Sequence, residues 1–166
     1  MRTFLLTLPF LTLAACGFGD DGRLQQATID AATIDAPMEI PIDAAPMAQT
    51  FEARPSQAIP DNNTTGISIP FNVTNVTFIT GVEVEVDVTH PYRGDLKIEL
   101  LRGTTVLKLL KARTPGDGID DVKAVYQVTP AELGTPLNAI YSVKFSDEAV
   151  TDTGVVNYVR LTFKVT

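Results

Sequence analysis

Acid–base or nucleophilic hydrolysis needs a base, and this chain offers one imidazole: His90, in the run Thr89-His-Pro-Tyr-Arg-Gly-Asp-Leu96. A Ser-His-Asp arrangement would also need a nucleophile, an orienting carboxylate and an oxyanion hole converging on that ring. No second histidine is present to share the work. Carboxylates are the more abundant functional groups. They gather in turn-rich stretches: Asp61-Asn62-Asn63, Asp87, Asp95, the Gly116–Asp121 segment, and Asp147-Glu148 with Asp152. Hard cations such as calcium take six to eight oxygens from groups of this kind, but none of these stretches matches an EF-hand loop, and Asp and Asn also supply turns through their short side chains. A carboxylate-only hydrolase would need two carboxyl groups at a set separation, a distance that sequence does not specify.

Two other short patterns carry possible chemistry. Arg93-Gly94-Asp95 spells an adhesion tripeptide, although Gly94 there also suits a turn that other residues resist. Asn62, Asn63, Asn72 and Asn75 each begin an Asn-x-Thr sequon, where Asn and Thr equally serve as turn and strand residues.

The elements that would position these groups are strands. Val82, Val84, Val86 and Val88 alternate with Glu83, Glu85, Asp87 and Thr89, the period of a half-buried strand. After the Pro91–Gly94 turn, Leu96, Ile98 and Leu100 alternate with Lys97 and Glu99, so the two runs are predicted to pair antiparallel across a short connection. Further strands are predicted over 67–73, 77–79 leading into the Val82 run, 106–110, 122–128, 139–145 and 155–165. In the last of these Val159, Leu161, Phe163 and Val165 face inward. Only Pro130-Ala-Glu-Leu133 suggests a helical turn. Short strands separated by Gly, Pro, Asn and Asp clusters imply an all-β sandwich.

Here a resemblance becomes specific. Ile59, Pro60, Asp61, Asn62 and Gly66, the valine alternation, and Thr89, His90, Tyr92, Arg93, Gly94, Asp95 and Leu96 resemble the P domain (P/Homo B) of proprotein convertases and bacterial subtilisin-like serine proteases. Tyr141–Asp147, Asp152-Thr-Gly154 and Tyr158–Phe163 are similar to that family's closing segment, so the likeness spans roughly 58–166. Two departures stand out. A Ser-Pro-Ser-Gly-Thr segment is replaced by Arg102-Gly-Thr-Thr105, and two closing tryptophans by Tyr141 and Tyr158, the chain having no Trp. Tyr keeps much of the aromatic area and adds a hydroxyl that wants a partner when buried.

The resemblance implies a jelly-roll-like antiparallel sandwich of about eight strands, with Pro60, His90, Tyr92, Arg93, Gly94, Asp147 and Gly154 in structural roles and no catalytic residue. It implies a module that accompanies a serine protease and binds or stabilises a partner protein. By likeness to calcium-bound members, Asp61, Asp95, Asp117, Asp120 and Asp121 are the candidate calcium ligands; no organic cofactor is expected. A function of another class, recognition of carbohydrate or an adhesion target through end loops, is weakened by the scarcity of aromatics, the only tyrosines being Tyr92, Tyr126, Tyr141 and Tyr158.

The N-terminal stretch has its own logic. Arg2, the apolar run 4–13 and Leu13-Ala-Ala-Cys16 read as a secretion signal too short to span a bilayer, which needs ~20 residues. Cys16, the chain's only cysteine, sits where a lipobox would be acylated; an ordinary signal cut beside an incidental thiol is the alternative. Residues 1–15 are thus expected to be a lipoprotein signal, 16–48 an acylated cysteine and disordered tether, and 49–166 the folded domain. The tether holds repeated Ile-Asp-Ala and three prolines. Asp20, Asp21, Asp30, Asp35, Glu39 and Asp43 oppose only Arg23 there, so most of the chain's −7 charge lies in it. A coil of that length spans roughly 30 Å, holding the domain off a bacterial envelope, with Gly17 after the cysteine suggesting the outer membrane or cell surface. The acidity argues against a nucleic-acid partner.

Overall fold

The computed structural model describes residues 48–165; the signal, Cys16 and the tether lie outside the described residues, except Ala48. Among the described residues there are nine strands and almost no helix: β1 (Gln49–Ala53), β2 (Gln57–Ile59), β3 (Asn63–Val73), β4 (Gly81–Thr89), β5 (Leu96–Arg102), β6 (Thr105–Lys111), β7 (Val122–Val128), β8 (Ala139–Asp147) and β9 (Gly154–Lys164). All pairings are antiparallel. One sheet runs β1-β9-β4-β7, with β2 continuing along β9; the other runs β3-β8-β5-β6. The all-β sandwich expected from the alternation is therefore the observed fold.

Period-two patterning fills the space between the sheets. Val82, Val84, Val86 and Val88 are buried from β4, Leu96, Ile98 and Leu100 from β5, and Val159, Leu161 and Phe163 from β9. Phe163 sits at the centre, edge-on to Phe51 at 5.7 Å and to Tyr141 at 5.8 Å. Tyr141 is fully buried, and its hydroxyl donates to Leu137 O at 3.0 Å, which meets the demand a buried phenol makes.

Three expectations are corrected. β4 and β5 do not pair: they belong to opposite sheets, and the segment between them, including a single 3₁₀ turn at Arg93–Asp95, crosses from one to the other. Alternation specifies which face is buried, not which strand lies alongside. Both flanks of β4 are occupied by β7 and β9, and those of β5 by β6 and β8. Residues 77–79 form no strand, so β4 starts afresh at Gly81. Finally, the chain before residue 67, where the sequence pattern predicts no strand, also pairs: β1 and β2 add to the edge of β9, with Ala53 opposite Val159 and Gln57 opposite Val156.

The helical turn Pro130–Leu133 is held by a capping box in which Thr129 and Glu132 exchange hydrogen bonds, and Glu132 also meets Lys108 of β6 at 2.8 Å. The Lys108 ammonium first, and the Thr129 backbone N–H and hydroxyl next, hold the Glu132 carboxyl down at about 2. A depressed folded-state value stabilises the fold above the ordinary carboxylate range and loses that contribution as pH falls through the folded value. Glu132→Gln should thus lower Tm at pH 7, the gap to wild type closing as pH falls from 4.5 towards about 2. Phe163→Ala, which empties the aromatic centre, should cost about 3–5 kcal/mol in urea unfolding.

Candidate functional site

The Thr89–Leu96 run forms the connection between the sheets at one end of the sandwich. His90 leaves the end of β4 fully buried. Its Nδ1 accepts the Tyr92 N–H at 3.0 Å, which places the ring proton on Nε2, 3.1 Å from Asp147 Oδ2. Asp147 closes β8 and is 1 % exposed; its other oxygen accepts the Ala149 N–H at 3.1 Å. A buried carboxylate needs such donors. This bond joins the end of one sheet to the end of the other.

The loop after β6 is suspended from the same run. The His90 N–H donates to Asp121 Oδ1 at 3.0 Å, while the His90 carbonyl accepts the Asp121 N–H at 2.8 Å. Arg93 N–H donates to Ile119 O, Gly94 N–H to Asp117 O, and Thr114 N–H to Gly94 O, all within 3.0 Å. The Glu148 N–H donates to the Asp95 carbonyl at 3.0 Å, fastening the turn to the exit of β8. Two glycines make the crowding possible. A Cβ on Gly94 would fall 2.6 Å from Thr114 O, and one on Gly154, at the start of β9, would fall 2.6 Å from the His90 ring.

The electrostatics follow from this packing. Arg93 Nε donates to Asp117 Oδ2 at 2.8 Å and is the main reason that carboxyl is held below its ordinary range. Burial pushes the Lys111 amine down; its Nζ donates to the carbonyls of Leu96 at 3.0 Å and Ala112 at 3.2 Å. On the outer face of the first sheet, Glu83 meets Lys164, Glu85 meets Arg160 and Asp87 faces Lys123. Tyr158 shares that face, its hydroxyl donating to Glu52 at 3.0 Å and its ring lying under the Arg54 guanidinium.

The five candidate calcium ligands are spread over several partners. Asp61 accepts the Thr151 N–H at 3.2 Å, Asp117 holds Arg93, and Asp121 holds His90. Asp95 is buried in the turn and Asp120 is exposed. Among the described residues, no three His, Cys, Asp or Glu side chains form a group fit to hold a metal ion, so these carboxylates do not make one ready ligand set. Pro60 lies exposed between β2 and β3. What sequence reasoning missed is the receiving side of the connection: Thr114 and Ile119, which act through main-chain atoms that carry no sequence signature, and Lys111, whose inward turn at an irregular strand hides its role.

His90→Ala leaves the Asp147 carboxylate short of a buried donor and should cost about 3 kcal/mol in urea unfolding of the purified chain. Gly154→Ala, which drives a methyl group into the same ring, should destabilise in the same assay.

Comparison with known proteins agrees with this architecture. The family model for the proprotein convertase P-domain matches residues 79–163. Leupeptin-inactivating enzyme 1 of Streptomyces exfoliatus is 28% identical over 120 residues, covering 71% of this chain and 27% of that protein. The transglutaminase-activating metalloprotease of Streptomyces mobaraensis is 32% identical over 114 residues, 68% of this chain and 15% of its own length. The chain thus spans about a quarter or less of these curated relatives. Among solved structures, the serine protease of Aeromonas sobria superposes with a TM-score of 0.50 at 14% identity, over 69% of this chain and 26% of that one, a likeness of fold.

Proposed function

The chain belongs to the proprotein convertase P-domain family, and from that membership we propose that it is a non-catalytic module, lipid-anchored through Cys16 at a bacterial envelope, that binds or stabilises a subtilisin-like serine protease. One observation carries this reading. The chain's sole imidazole is fully buried with both ring nitrogens engaged, by Tyr92 and Asp147. His90 is a strut; a substrate carbonyl has no access to it. His90, Arg93, Gly94 and Asp147 of the family pattern are spent on joining the sheets, and recognition is assigned to the outer faces and edges. Curated relatives that share this region are several times longer, and one of them is by name a metalloprotease. A region found beside different peptidase chemistry supports an accessory role better than a catalytic one.

Anchoring is proposed from Cys16 and the apolar run before it. Among the described residues no helix is long and apolar enough to cross a membrane. Cys16→Ser should move the protein from the membrane fraction to the soluble fraction and end labelling by radioactive palmitate; unchanged fractionation removes the anchor. Calcium is carried by family likeness alone: a bound ion would draw on Asp61, Asp95, Asp117, Asp120 or Asp121, of which Asp117 is held by Arg93 and Asp121 by the His90 N–H. Chelation by EDTA should then lower Tm of the purified chain, and an unmoved Tm retires the metal. For the partner, full-length chain added to a purified subtilisin-like protease should form a complex and lengthen the protease's half-life on heating. Absence of both effects, or cleavage of a peptide by the chain itself that a serine-directed covalent probe stops, overturns the proposal.

A further inference from the structure

An edge strand that is regular and uncovered is a template for another chain, and folded proteins interrupt such edges with proline, bulges, short strands or charge. Three of the four edges of this sandwich are interrupted. β1 and β2 are five and three residues long, with Arg54-Pro55-Ser56 breaking the line between them. β3 carries Pro70 and a register shift between Asn63 and Ile67. β6 shifts register twice against β5.

β7 is different. It contains no proline and pairs with β4 residue for residue, from Val82 opposite Val128 to Val88 opposite Val122, without a bulge. Its other flank has no strand beside it. Among the described residues, the one side-chain bond onto the main chain of β7 comes from Lys108 Nζ to Gln127 O at 2.7 Å. Lys108 is fixed in turn by Glu132 at the C-terminal end, and among the described residues the outer flank of Val122–Tyr126 has neither a neighbouring strand nor a side-chain hydrogen bond to its main chain. Val125, midway, is 53% exposed.

A cleft of about 230 Å³ adjoins this uncovered stretch, lined by Arg93, Lys111, Asp117, Lys123 and Tyr126 with Ala124 between them. Three cations face one carboxylate there, in a chain whose net charge is −7. Arg93 is committed to Asp117, and Lys123 is 3.6 Å from Asp87 on the outer face. Lys111 donates only to carbonyls. Tyr126 adds a phenolic hydroxyl to the lining, a group that can donate a hydrogen bond. The cleft is suited to a carboxylate presented by an extended chain.

We propose that β7 receives an extended acidic segment of the partner protein as an added strand, its main chain pairing along Val122–Tyr126 while a carboxylate meets Lys111 and Lys123. Main-chain pairing gives such a site its affinity, and the cleft beside it gives selectivity. The proposal rests on the partner-binding role above and assigns that role a surface.

The test uses ¹⁵N-labelled full-length chain titrated with two pools of synthetic peptides of about ten residues, alternating Val or Thr with Asp and Glu in one and with Lys and Arg in the other. The acidic pool should shift the amides of Val122–Val128 and the basic pool should not. Lys123→Glu, at an exposed position, and Lys111→Gln should each weaken acidic-pool binding, and the pair together by about tenfold or more. Val125→Pro should end it. No shifts at about 1 mM peptide, shifts confined to other strands, or equal response to the basic pool would overturn the proposal. A protease complex that forms undiminished with these variants refutes the β7 surface and leaves partner binding standing; acidic peptides that engage β7 when no protease complex forms support β7 and refute the protease role.

Discussion

A buried carboxylate is tolerated only where it has donors, and Asp147 obtains them from the end of the opposite sheet and from the chain just past its own strand. Its Oδ2 accepts the hydrogen bond from His90 Nε2 at the end of one sheet, and its Oδ1 accepts the Ala149 N–H just past its own strand. Because the imidazole uses its other nitrogen to accept the Tyr92 N–H, its tautomer and orientation follow from the main chain on which it sits. The backbone of His90 then holds Asp121 in two directions. His90, through its ring and its main chain, thereby ties together the ends of the two sheets and the loop after β6. Gly94 and Gly154 recur beside it for steric reasons, since a methyl group at either would enter this network.

That use of the motif bears on function. Polar residues in an uncommon pattern invite a catalytic reading, yet here both nitrogens of the His90 ring and the Arg93 guanidinium are matched by protein partners at the junction of two sheets. Arg93 and Asp117 neutralise each other, and Asp95 is packed into the turn. The junction resembles a molecular splice more than a site. The recognition proposed above would use surfaces outside the splice: the charged outer face around Tyr158 and the edge at β7. A preorganised edge loses little freedom when a second chain pairs with it.

The two outer faces also differ in chemistry. On the first sheet, acidic β4 side chains are matched against Arg160 and Lys164 of β9 and Lys123 of β7, a ladder worth little individually in stability but well suited to keeping that face wet. On the second, Ile140, Val106 and Leu109 stand exposed, with Lys97, Glu99 and Lys144 grouped beside them. Glu99 points outward as its alternation requires, yet lies 8% exposed because the two lysines fold over it. Outward and exposed are distinct properties.

Strand identity and the buried face of each strand were legible in the residues themselves, because period-two alternation in β4, β5 and β9 translates directly into which side chains leave water. Pro130–Leu133 was legible as a helical turn, and the family pattern pointed to the sandwich. Pairing was not legible: nothing local to Leu96–Leu100 says that β5 lies across the core from β4 rather than beside it, since both arrangements bury the same side chains. The partners of His90 and Arg93 were equally out of reach, being 57 and 24 residues away and set by how the sheets close. Nor could sequence show that Lys111 turns inward beside Tyr126, or that Asp61, Asp117 and Asp121 accept hydrogen bonds from three different residues, Thr151, Arg93 and His90. Local patterning decides which atoms are buried; closure of the chain in three dimensions decides which atoms meet.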